Sequence, residues 1–126
     1  MATVDLTTTS FNQAVEDNDI LFVDFWAEWC GPCRAFAPTF TAASENHPDI
    51  VFGKVDTEAE QQLSAAAGIT SIPTLMVFRE QILVFSQPGA LAPPQLDQVI
   101  AAVKGLDMDE VRKSIADADA AEAQAN

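Results

Sequence analysis

The chain has 126 residues, a length that suits one domain, because two full cores would leave too few residues for each. Hydrophobic residues make up 48% and charged residues 20%, which argues against a wholly disordered chain. There are 6 Lys+Arg against 19 Asp+Glu, a net charge of −13, so phosphate backbones and anionic membrane surfaces would be repelled. Residues 1–106 hold 13 acids and 4 bases (net −9), and residues 107–126 hold 6 acids and 2 bases (net −4). No apolar run approaches the roughly 20 residues that span a bilayer. Met1 to Ser10 lack the basic-then-apolar pattern of a secretory signal, so a cytoplasmic location is expected, with neither membrane nor nucleic acid as a partner.

In chain order, Thr3 to Leu6 reads as a short strand, and Phe11, Ala14 and Val15 follow at helical offsets. Ile20 to Trp26 is apolar, β-branched and aromatic, the pattern of a strand buried on both faces and broken only by Asp24. Phe36, Phe40 and Ala43 mark a helix from about Gly31 to Glu45, kinked at Pro38. Ile50 to Asp56 is another strand. Thr57 and Glu60 read as a capping box for a helix over Glu58 to Ala67 that ends at Gly68. Thr74 to Phe78 and Ile82 to Phe85 are apolar runs joined by Arg79-Glu80-Gln81, too short for anything but an antiparallel hairpin. None of those three linking residues readily accepts positive φ, so the turn type stays open.

Pro93 and Pro94 open a helix with an apolar stripe of Leu96, Val99, Ile100 and Val103, stopped by Gly105. Residues 107–126 form an acidic, Ala-rich extension. Asp107 can cap it, with Glu110 completing a box and Leu106 stapling on Val111. Beyond Asp117 there is nothing to bury, so a frayed end is expected. Strands alternating with helices imply parallel pairing with helices on both faces, and the hairpin adds antiparallel strands.

Trp29-Cys30-Gly31-Pro32-Cys33 lies between a buried strand and a helix. Free amides and the dipole at a helix N-terminus favour negative charge, so Cys30 there should ionise more readily than a free thiol. Cys33, one turn on, faces the same side and can close on it. A zinc site needs four ligands, and beyond this pair only His47 and carboxylates remain, so no metal is expected. Two inert structural cysteines are the other bland alternative. A Cys-x-x-Cys at a strand-to-helix junction within a βαβ pattern favours redox chemistry.

The chain resembles the thioredoxin family. The likeness runs through Val23 to Arg34, then Ala37-Pro38, Lys54-Val55-Asp56, Ser71-Ile72-Pro73-Thr74 and Gly89-Ala90. It covers roughly residues 3–105, and the Gly31-Pro32 dipeptide between the cysteines sets it apart from glutaredoxin-like and strongly oxidising relatives. The resemblance implies an α/β thioredoxin fold: a central five-stranded mixed sheet flanked by four helices, as a domain over residues 1–106, with the extension added. It implies a monomeric protein-disulfide reductase with no bound cofactor. A flavin-containing, NADPH-dependent thioredoxin reductase would recharge it, and disulfide-bonded proteins would be its clients.

In the implied mechanism Cys30 attacks a client disulfide, and Cys33 then displaces the client and leaves Cys30–Cys33 oxidised. Asp24 is the candidate base for Cys33, because burial raises a carboxyl pKa. A buried aspartate held for structure alone is the competing reading. Lys54 is the family's partner for that aspartate, against a plain surface lysine. The proline matching Pro73 is cis in the family. Trp29, Ile72, Pro73, Gly89 and Ala90 would form an apolar rim around Cys30 for an extended client peptide. Trp29 could instead be core and Gly89 a simple turn glycine, while Trp26 reads as packing. Arg34 either favours a thiolate or is an exposed helix residue, and His47 reads as a cap or surface group. Pro88 removes a backbone donor beside the rim, which bears on partner preference.

Two competitors belong to other classes. One is a binding or chaperone-like module of the same fold in which the cysteines are dispensable; replacing both by Ser separates it. The other is an oxidase or isomerase, which a potential well above about −200 mV would mark.

Overall fold

A computed structural model describes residues 2–125. The elements are β1 (Thr3–Asp5), α1 (Phe11–Asp17), β2 (Ile20–Trp26), α2 (Gly31–Asn46), β3 (Val51–Asp56), α3 (Gln61–Ala66), β4 (Thr74–Arg79), β5 (Ile82–Pro88), α4 (Pro93–Lys104) and α5 (Met108–Ala125). The five strands form one sheet in the order β1-β3-β2-β4-β5. β1 and β2 run parallel to β3, whereas β4 is antiparallel to β2 and β5 antiparallel to β4. The mixed sheet is as expected. The passage from β3 through α3 does not return a parallel strand, because β4 enters beside β2 from the opposite end.

Strand alternation sorts β2 between two cores. Phe22 packs with Phe36 and Phe40 of α2, Phe52 and Leu75 of the sheet, and Leu96 and Ile100 of α4. Leu21, Val23 and Phe25 face the other way, onto Phe11 of α1, Val55 and Met76. Phe40 and Phe52 meet edge-on at 5.2 Å between centroids, a favoured aromatic geometry. Each such buried ring contributes on the order of 2–3 kcal/mol of transfer free energy. Asp24 has the parity of Phe22 and therefore projects toward the α2 side.

Several local expectations are corrected. Thr57 and Glu60 form no capping box. The Thr57 hydroxyl donates to the Trp26 carbonyl (3.0 Å), and the Glu60 carboxylate accepts from the distant Thr8 amide (2.8 Å). Asp56 instead receives the Glu58 amide (2.9 Å), and α3 starts only at Gln61. The hairpin link is two residues, not three, since Arg79 belongs to β4 and pairs with Ile82. Glu80 and Gln81 both carry positive φ, 51° and 69°. Positive φ at both positions is the type I′ pattern, whose twist matches that of the flanking strands, here without a glycine. Asp107 does cap α5, taking the Asp109 and Glu110 amides at 3.0 and 3.3 Å. α5 is helical through Ala125, and the side chains described past Asp117 are all exposed.

Candidate redox site

β2 ends at Trp26, and Ala27-Glu28-Trp29 turns the chain into α2, with the Cys30 amide donating to the Ala27 carbonyl (3.2 Å). Cys30 is the N-cap of α2: its backbone is extended, and its sulfur accepts the Cys33 amide at 3.2 Å. Pro32 fits the first helical turn, where a missing amide costs little. The cysteine Cα atoms are 5.2 Å apart and the two sulfurs are joined as a disulfide, a separation that suits the bond without backbone movement. Both cysteines are buried, and they pack with Ala27, Trp26 and Ile72. The sulfur that caps the helix is the one an N-terminal dipole would stabilise as an anion.

Beside the cysteines, the Ile72–Pro73 peptide is cis. The Ile72 carbonyl oxygen lies 3.7 Å from Cys30 Sγ. Gly89, at φ 104°, donates its amide to the Pro73 carbonyl (2.8 Å), so the backbone itself calls for a glycine there. Ala90 follows it, exposed. Trp29 is 66% exposed and is not a core residue. Its indole N–H donates to Glu58 Oε1 at 2.8 Å. Glu58 is a site neighbour that the sequence did not reveal, because its only local signal was a presumed helix start. A groove floored by Thr57, Ser64, Ile69 and Ile72 runs on from Trp29.

On β2, Asp24 is fully buried, and neither carboxylate oxygen has a hydrogen-bond partner. Burial pushes its carboxyl from 3.8 up to about 7, and the Lys54 charge offsets part of that rise. Lys54 is its register partner on β3. The expected pairing takes a different form from an ion pair: the ammonium lies over the Trp26 ring, 4.9 Å from its centroid, and the lysine acts on Asp24 through its field. A cavity of about 110 Å³ is lined by Trp26, Cys33, Arg34 and Lys54, with room for more than one water. Arg34 donates to the Glu28 carbonyl (3.0 Å), tying the loop before Cys30 to α2. His47 is the C-cap of α2, with Lys104 Nζ 3.4 Å from its ring nitrogen. Among the described residues no group of three or more His, Cys, Asp or Glu is placed to hold a metal ion.

The thioredoxin family model matches residues 2–102. The chain belongs to the thioredoxin family. A putative thioredoxin 2 of Streptomyces coelicolor is 57% identical over 116 residues, covering 92% of this chain and 87% of the relative. Oxidised mitochondrial thioredoxin 3 of Saccharomyces cerevisiae superposes with a TM-score of 0.74 at 31% identity, over 79% of this chain and 94% of that one. A mutant thioredoxin of Halobacterium salinarum gives 0.76 at 28% identity, over 83% and 92%. The chain is thus an oxidoreductase of the thioredoxin family that acts on protein disulfides, and the Cys30–Cys33 pair is its redox-active centre. Among the described residues no helix is long and apolar enough to cross a membrane.

Proposed function

We propose that Cys30 is the attacking residue and Cys33 the resolving one. The observation that carries this is the N-cap position of Cys30, whose sulfur takes an amide hydrogen bond from Cys33. The Cys30 thiolate attacks one sulfur of a client disulfide. A mixed disulfide forms, and the first client thiolate leaves. The Cys33 thiol gives up its proton, and its sulfur attacks Cys30 Sγ. The second client thiolate leaves, the client has gained two electrons, and Cys30–Cys33 is oxidised.

Asp24 accepts the Cys33 proton, directly or through water in the neighbouring cavity. A carboxyl near 7 is matched to that task at neutral pH. Lys54 sets how far the carboxyl rises. Trp29, Ile72, Pro73, Gly89 and Ala90 receive the client backbone and apolar side chains beside Cys30, while Gly31 and Pro32 hold the first turn open between the sulfurs. The chain works as a monomer in the cytoplasm, with no bound cofactor, as one domain over residues 1–106 with residues 107–126 as an extension. An NADPH-dependent flavoprotein thioredoxin reductase returns it to the dithiol.

The test is NADPH consumption with a thioredoxin reductase and a disulfide-bonded protein. Turnover should depend on the chain and vanish in Cys30→Ser and in Cys33→Ser. Full function of the Cys30→Ser/Cys33→Ser double variant would point instead to a binding module.

A further inference from the structure

Among the described residues, four large apolar side chains stand exposed: Val4, Trp29, Leu83 and Ile115. Trp29 belongs to the redox site and Val4 stands alone on β1. Leu83 and Ile115, 48% and 42% exposed, line one open groove of about 410 Å³ between β5 and α5. Val84 and Val111 also line it, with Asp107 and Glu110 at its margin. No lysine or arginine among the described residues lines it. Of the two cations on α5, Arg112 is held by Glu80 (2.5 Å) and Asp109 (2.6 Å), and Lys113 is exposed to solvent.

The α5 wall is a helical stripe. Met108 is buried against the domain, Val111 is half-buried, and Ile115 emerges into solvent. Residues at this three- and four-residue spacing form a seam for another helix. The opposite wall is the edge strand of the sheet. Leu83 and Ile115 share one groove instead of standing singly on the surface, and a partner's apolar side chains could cover both at once. The charge of −13 opposes a second copy of this chain and favours a basic partner.

We infer that the groove between β5 and α5 docks a basic amphipathic helix of a partner protein, with leucine-like side chains against Leu83 and Ile115 and lysine or arginine beside Asp107 and Glu110. The groove lies at the hairpin end of the sheet. In the β2–β4 register Ile20 pairs with Arg79 there, whereas Phe25 pairs with Thr74 at the end that carries the cysteines. A helix docked in the groove leaves Cys30 open to a disulfide, so this surface would tether a partner at the end of the sheet away from the dithiol.

The probe is a synthetic Leu/Lys peptide of about 18 residues patterned at helical spacing, set against the same composition patterned for a strand. It is titrated into the full chain and followed by amide chemical shifts and circular dichroism. Expected are shifts confined to residues 82–84 and 107–115, a gain of helix, and at least about tenfold tighter binding than the strand-patterned control. Leu83→Ser/Ile115→Ser should weaken binding about tenfold or more, and Glu110→Lys several-fold. Both double-variant positions are exposed, so its thermal transition and NADPH-coupled turnover should match the parent. Equal affinity in the double variant, shifts spread over the acidic surface, or tighter binding of the strand-patterned peptide would overturn the proposal. So would sedimentation showing a dimer of the chain alone that the double variant abolishes.

Discussion

Asp24 and Lys54 face each other in the β2–β3 register, yet the lysine ammonium rests over the Trp26 ring and leaves both aspartate oxygens without a partner. A carboxyl so placed opposes folding once it ionises. Below pH 3.8 it is protonated in the folded and unfolded chain alike, and it costs nothing. As pH rises from 3.8 to about 7 the unfolded chain releases the proton and the folded one keeps it, so stability falls. Above that window the loss is complete, at roughly 4 kcal/mol. Asp24→Asn should abolish this fall. Urea unfolding of the oxidised forms near pH 4.5 and pH 8.5 checks it: the variant gains on the parent at the higher pH. The same variant should resolve mixed disulfides more slowly. A resolution rate equal to the parent's would remove Asp24 from the proton path.

Lys54→Met removes the charge that offsets desolvation of Asp24. The carboxyl should then titrate above about 7, and the pH dependence of resolution should move to more alkaline values. An unmoved pH profile would reduce Lys54 to packing on Trp26.

The Trp29–Glu58 hydrogen bond holds an exposed indole at the mouth of the groove. Glu58→Ala frees the ring, and client KM should rise by about threefold to tenfold with kcat little changed, because ordering the ring then falls to the binding step. Glu58→Gln keeps an oxygen acceptor and should restore the parent KM. Equal KM in all three proteins would show that the bond does not position the client rim.

Glu80 and Gln81 hold left-handed backbone that glycine adopts freely. Gln81→Gly should stabilise the chain by about 0.5–1 kcal/mol and raise the thermal midpoint by a few degrees, leaving turnover unchanged. Gln81 is the choice because Glu80 also binds Arg112. A lower midpoint would mean that the turn carries no such strain.

What could be read from the sequence follows from how local each signal is. β2 stood out because a strand buried on both faces leaves a continuous apolar run, and the one interruption, Asp24, marked a buried acid. The cysteine pair stood out because strand, turn and helix start lie within a dozen residues. The Thr57–Glu60 box failed because Glu60 binds Thr8, on the far side of β1, and no local pattern announces such a bond. Arg79 has the look of a loop residue in the sequence. It is a strand residue whose guanidinium donates to the Val103 carbonyl (2.7 Å) and the Leu106 carbonyl (2.9 Å), closing the end of α4 from across the fold. Gly53 gave no signal at all, yet a side chain there would collide with Leu6, because β3 runs beneath that leucine.

The division of labour between the two sulfurs is tested most directly by trapping. Mix Cys33→Ser and, separately, Cys30→Ser with a disulfide-bonded client, and identify the adducts by mass spectrometry without reductant. Cys33→Ser should accumulate a stable mixed disulfide through Cys30, and Cys30→Ser should form none at a comparable rate. A fast adduct through Cys33, or none through Cys30, would contradict the account.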